Sequence, residues 1–228
     1  MIWYIDIEHP NISLDRDKGP GRLEHLKEIA GRFEDIARRP CEILHYTAFS
    51  SERIMDEKAS ALVLSGCSTF WDHYDLRTFG RLFTFLRNAA AGRINAPPVL
   101  GTCGGHQVLA LAFGVSVEHM RWVGQGQPDH STREGWLLES GFQKVYLRRR
   151  DSLFRGLPNP MVMLESHYDH ALRVPPGFLW LARNQTCRVQ AMRHRTRAIY
   201  GVQFHPERYD AAHPHGRALL ANFFRLRA

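Results

Sequence analysis

The chain is poor in cysteine: 228 residues carry four, at positions 41, 67, 103 and 187. No two stand in the C-x-x-C spacing of a zinc or redox pair. With 44% hydrophobic residues the chain is long enough to bury a core without disulfide staples, so reduced thiols are expected. No apolar run reaches the length of a membrane span, and Met1–Asp6 enters an apolar stretch without a basic leader. These features predict a cytoplasmic protein that does not engage a membrane. Low-complexity segments are missing, and 23% charged residues argue against disorder. There is no P-loop, no linker rich in Ser, Gly or Pro and no internal repeat, so one domain over 1–228 is expected. The net charge of +7 comes from dispersed residues. The densest group, Arg148-Arg149-Arg150, is short, and no recognised nucleic-acid motif accompanies it. A solvated basic surface is expected, with no nucleic-acid partner; docking of an acidic partner protein stays open.

What is present is an alternation of strand and helix signals in the first half. Ile2–Ile7, Cys41–Tyr46, Ala61–Leu64 and a segment opening at Pro98–Leu100 read as strands. Arg22–Arg38, Leu76–Ala91 and Gln107–Phe113 read as helices. Such alternation predicts a parallel sheet covered on both faces. After Gly114 come short strand-like pieces punctuated by Gly and Pro: Val115–Glu118, Lys144–Leu147, Val162–Leu164, Phe178–Ala182, Val189–Arg193 and Ala198–Phe204. They are expected as antiparallel additions to the sheet, with Gly216–Leu226 as a closing amphipathic helix.

The stretch Val99-Leu-Gly-Thr-Cys103-Gly-Gly-His-Gln107 joins an apolar strand directly to a helix through Gly101-x-Cys103-x-Gly105. This is a nucleophile elbow with cysteine in place of serine. A tight turn forces the nucleophile into a strained backbone conformation, and flanking glycines remove side-chain clashes. The helix N-terminus favours a thiolate, and the Gly104 N–H points where an oxyanion would form. A thiol also needs a base. Ala198–Phe204 ends in His205-Pro-Glu207, an arrangement able to bring His205 to Cys103 with Glu207 orienting the imidazole. Among thirteen histidines, spacing alone does not select this one.

Gly101-Thr-Cys103-Gly-Gly-His-Gln107 together with Gly201-Val-Gln-Phe-His205-Pro-Glu207 resembles the paired signature of class I glutamine amidotransferases, and most of all the glutaminase subunits or domains of GMP synthase. The likeness continues through Leu153–Pro158, Leu164–His170, Val174–Phe178 and Leu181–Met192. The resemblance implies an α/β, flavodoxin-like three-layer sandwich with a mostly parallel central sheet and antiparallel additions. It implies that Cys103 attacks the γ-amide of L-glutamine to form a γ-glutamyl thioester, that His205 moves protons and that Glu207 holds its tautomer. Gln107 corresponds to the family's glutamine-pocket residue, Ser166 and His167 to the segment holding the substrate's α-groups, and Gly66 to the pocket wall. No cofactor or metal is expected; His213-Pro-His215 lacks a recognisable third ligand.

Three positions depart from the family pattern. The family has Ser-Gly-Gly-Pro after the third strand, where the second glycine's N–H completes the oxyanion hole; here Ser65-Gly66 is followed by Cys67-Ser68. A positive φ at Cys67 would strain it, and loss of that donor costs ~3 kcal/mol in the transition state. Gly104 stands where the family has a larger residue, suggesting room for a bulkier substrate. Ile7-Glu8-His9-Pro10 lacks the family's small or polar opening. The functions in competition are an ammonia-supplying glutaminase serving a synthetase on another chain, a stand-alone γ-glutamyl hydrolase or transferase, and a non-catalytic regulatory module.

Overall fold

A computed structural model describes residues 1–227. Its centre is a nine-stranded sheet in the order β2-β1-β3-β4-β11-β10-β9-β6-β7. The strands β1 (Ile2–Asp6), β2 (Cys41–His45), β3 (Ala61–Leu64), β4 (Val99–Thr102) and β11 (Ile199–Val202) pair in parallel. The strands β6 (Glu139–Leu147), β7 (Met161–His167), β9 (Phe178–Arg183) and β10 (Ala191–His194) extend it antiparallel.

Side chains alternate across a strand, and the parallel strands are apolar on both faces because both are covered. Trp3, Ile5, Leu62, Leu64 and Val99 pack with α3 (Ser51–Asp56), α4 (Gly80–Ala90) and α5 (Gly104–Ala112). Ile2, Tyr4, Ala61, Val63 and Leu100 pack instead with α2 (Gly19–Ala37) and α6 (His215–Phe223). The expected three-layer α/β architecture is therefore present. Phe33 of α2 is fully buried, edge-on to Tyr4 at 5.1 Å and to Phe224 at 5.6 Å. A side chain of this size contributes about 1.5–3 kcal/mol by leaving water.

The differences from expectation have local causes. α2 begins three residues early because Pro20 fits the first turn, where its missing N–H has no partner to lose. The segment expected as one helix from Leu76 opens as a 3-10 turn, Leu76–Phe79, before α4. A one-turn helix, α1 (Pro10–Ser13), follows β1. The strand expected at Val115–Glu118 is β5 (Val117–His119), and it does not join the main sheet. It pairs with β8 (Asp169–Ala171) in a separate two-stranded sheet. Gly114, with φ +76°, ends α5 and turns the chain toward β8. β6 and β7 exceed their predicted pieces because they pair along seven registered positions that include polar residues, where apolar patterning is silent.

Candidate active site

Cys103 sits between β4 and α5 with φ 48° and ψ −107°, a left-handed value rare outside glycine. The chain is held there from both sides: the Cys103 N–H donates to Val202 O at 2.9 Å, and its carbonyl accepts from Gln107 N at 3.1 Å. The glycines beside it are there for close approach. A Cβ on Gly101 would stand 2.3 Å from Gly105 O, and one on Gly105 would stand 2.4 Å from Leu64 O. The elbow thus needs small residues so that α5 can lie against β3.

β11 runs beside β4 and delivers His205 to the thiol. The His205 N–H donates to Leu164 O at 2.8 Å, which ties the strand end to β7. His205 Nδ1 meets Glu207 Oε1 at 2.7 Å, and the ring lies beside Cys103 in one cavity. Burial pulls the His205 pKa down, but the charges of Cys103 and Glu207 outweigh it and hold the imidazole well above its ordinary value. Glu207 is buried in turn. The structure therefore brings together the three residues singled out by the sequence.

A cavity of about 200 Å³ opens over the thiol, lined among others by Cys67, Cys103, Gln107, Ser166, His167 and His205. Gly66 is not among the residues lining this cavity, but its lack of a side chain leaves room for the pair: a Cβ there would lie 3.0 Å from His205 Cε1 and 3.5 Å from Cys103 Cβ. Ser166 offers its carbonyl, 3.9 Å from Cys103 Sγ. Gln107 is buried, and its amide is engaged on both sides. It accepts from Trp71 Nε1 at 2.6 Å and donates to Asp169 O at 2.7 Å. The His167 ring is likewise occupied, by Asp169 O at 3.0 Å, Glu139 at 3.0 Å and Glu165 at 3.3 Å. Burial lowers its pKa, yet the two carboxylates outweigh that and raise it to about 10. At this segment the main chain and Ser166, rather than the polar atoms of His167, are free to meet a ligand.

Cys67 does not take the strained conformation considered from the sequence. Among the described residues, the non-glycine positions with positive φ are Arg38, Lys58 and Cys103. The Cys67 N lies 2.9 Å from the position of a Cβ on Gly104, so the two residues are in close backbone approach. The Cys67 thiol is partly buried, and burial, reinforced by the Glu8 charge, pushes its pKa well up. It is therefore a neutral thiol.

Three contributors were not visible in the sequence. Arg22 donates to Asp6 at 2.6 Å, to Ser65 Oγ at 3.1 Å and to Gly66 O at 2.8 Å. In a trans peptide the C=O and following N–H point oppositely. Arg22's hold on the Gly66 carbonyl therefore fixes the orientation of the Cys67 N–H. Glu8 clamps the next residues, accepting from Ser68 N at 2.5 Å, Ser68 Oγ at 2.7 Å and Thr69 Oγ1 at 2.7 Å. Burial raises the Glu8 pKa, but these donors outweigh it and bring it below the ordinary value. Gln203, from the same strand run as His205, approaches Cys103 Sγ at 3.8 Å; its place in the Gly201–Glu207 run was the one available signal.

His213 pairs with Asp210 at 2.9 Å, and His215 accepts from Val162 N at 2.9 Å, so the two histidines have separate structural duties. A larger cavity of about 810 Å³ under Arg148–Arg150 shares no lining residue with the thiol cavity.

A strained cysteine at a strand–helix elbow, facing a histidine–glutamate pair from the neighbouring strand, defines the class of protein. The profile for class-I glutamine amidotransferases matches residues 32–226, and the chain belongs to that family of enzymes. Within it, the chain is similar to one of the subunits of glutamine-hydrolyzing GMP synthases. The Thermococcus kodakarensis protein is 34% identical over 185 residues, 77% of this chain and 79% of the relative. The Methanosarcina mazei protein is 34% identical over 174 residues, 76% of each. A crystal structure of the corresponding candidate GMP synthase protein from Thermoplasma acidophilum matches with a TM-score of 0.68 at 28% identity, covering 98% of this chain and 92% of that one. No described helix is long and apolar enough to cross a membrane.

Proposed function

We propose that the chain is a glutaminase that hydrolyses L-glutamine through a γ-glutamyl thioester and supplies ammonia to a synthetase on a separate chain. The observation that carries this reading is His205, which lines one cavity with Cys103 and is held by Glu207 at 2.7 Å. Cys103 Sγ attacks the γ-carbonyl carbon, and the N–H groups of Gly104 and Cys67 stabilise the oxyanion. The His205 imidazolium gives its proton to the departing nitrogen, and ammonia leaves as the thioester forms. The neutral imidazole then takes a proton from water, whose attack on the thioester releases glutamate and restores the thiol. Arg133 and Arg208 line the cavity and supply positive charge suited to the substrate's α-carboxylate. The similarity to subunits of glutamine-hydrolyzing GMP synthases supports both the substrate and the separate partner.

The reading of a bulkier γ-glutamyl substrate rested on space beside Gly104. That space is filled by the Cys67 sulfur and Ile7, so glutamine is the substrate favoured here. Glutamate and ammonia release from L-glutamine, by the purified chain and by Cys103→Ala, tests the proposal. Release that the substitution abolishes is expected. Cys103-independent release would refute it.

A further inference from the structure

Beside the thiol cavity lies a second cavity of about 290 Å³, lined by Trp71, Asp72, Glu118, His119, His130 and Trp136 among others. We infer that it is a binding site for a divalent transition cation of the zinc class, with Asp72, His119 and His130 as ligands. The inference does not depend on the glutaminase reading.

The donor atoms of these three residues all lie within 4.8 Å of one another. His119 carries the argument. Its side chain is 6% exposed, and its Nδ1 meets Asp169 Oδ1 at 2.5 Å. With Nδ1 engaged by that carboxylate, Nε2 is the ring atom left to face the cavity. Nε2 is buried, has no hydrogen-bond partner among the described residues, and faces Asp72 Oδ2 at 3.5 Å. His130 Nδ1 approaches the same oxygen at 3.9 Å, a third donor that a proton alone would not require.

The spacing suits the ion. Bonds of roughly 2.0–2.2 Å in a tetrahedron put donor atoms about 3.3–3.6 Å apart. The 3.5 Å pair already meets this, and His130, on an exposed side chain, is free to swing in to complete the set. Two imidazoles and a carboxylate are the donor set of zinc-class ions, with the fourth position open to water. Asp169 is the outer carboxylate that orients a ligating histidine. Its backbone carbonyl also accepts from Gln107 and His167, so the ion would anchor the loop bearing His130 beside the thiol cavity.

The test is calorimetric titration of Zn²⁺ into the metal-stripped chain, with Co²⁺ absorption as a second readout. One equivalent should bind. Asp72→Asn and His130→Ala, both at exposed side chains whose loss leaves the fold intact, should each weaken binding at least about tenfold. Bound Co²⁺ should show tetrahedral visible bands without the near-ultraviolet charge transfer of a thiolate. The inference is overturned if no saturable binding occurs, if both variants bind as the parent does, or if a thiolate band appears and vanishes in Cys103→Ala.

Discussion

The sulfur of Cys67 occupies the place where a side chain on residue 104 would begin: a Cβ there would lie 2.6 Å from Cys67 Sγ and 2.9 Å from Ile7 Cδ1. The departures at 7, 67 and 104, separate in the sequence, are thus one exchange of volume. Side chains come from the ends of β3 and β1 where the family supplies one from α5. Gly104→Ala alone is expected to overpack this spot, costing about 1–3 kcal/mol of stability and much of the activity. Joined to Cys67→Gly, it should cost less than the sum of the single changes, with a coupling of about 1–3 kcal/mol. Thermal melts of the four-variant cycle measure it, and strictly additive effects would show that the positions are independent.

Arg22 lines the thiol cavity and holds the Gly66 carbonyl at 2.8 Å, and the second contact is the one expected to matter for rate. Arg22→Lys keeps a positive charge near Asp6 but loses the fork that also reaches Ser65 and Gly66. The expected result is a lower kcat for glutamine with KM little changed, because an oxyanion donor is used only in the transition state. Alkylation of Cys103 should keep its rate. A rise in KM alone would place Arg22 in ground-state binding instead.

Stability should fall as pH rises, for two buried groups in the β6–β7 hairpin. Burial raises Glu165 to about 7, with His167 opposing it. A carboxyl that keeps its proton longer in the fold than in the unfolded chain loses stability between its ordinary value of about 4.5 and 7. The His167 pKa is raised to about 10, so its contribution is whole below an ordinary histidine value and disappears as pH climbs toward 10. Glu165→Gln should flatten the lower part of the profile and leave the upper decline. Denaturation midpoints from pH 4 to 10 check this, and a variant profile parallel to the parent's would contradict it.

The parts of this arrangement that could be read from sequence are those encoded locally. β3 is an all-apolar run, and β1 is one up to Asp6, because both sheet faces are covered, and the elbow and the His205-Pro-Glu207 turn are contiguous motifs. The parts that could not be read depend on partners far along the chain. Glu8 meets Ser68 across 60 residues, and Arg22 meets Gly66 across 44. β8 escaped notice because Asp169-His170-Ala171 has no strand pattern of its own and is a strand only through pairing with β5. The engagement of the His167 ring depends on Glu139, supplied by a neighbouring strand.

Glu207 and Cys103 together keep His205 protonated above an ordinary histidine pKa. The alkylation rate of Cys103 should therefore show no inflection near the ordinary histidine value of about 6.5. Glu207→Gln removes one of the raising charges, so the pH at which the imidazolium is lost should move down. Glutamine turnover should drop by roughly 100- to 10,000-fold. An unchanged profile in Glu207→Gln would separate Glu207 from the pair.

The most direct test of the central claim is covalent labelling of the intact chain by a glutamine-analogue electrophile, read by mass spectrometry with peptide mapping. One adduct per chain, on Cys103, slowed by added L-glutamine and lost in His205→Ala, is the predicted result. A chain that stays unlabelled, or carries the adduct on Cys67 instead, would contradict it.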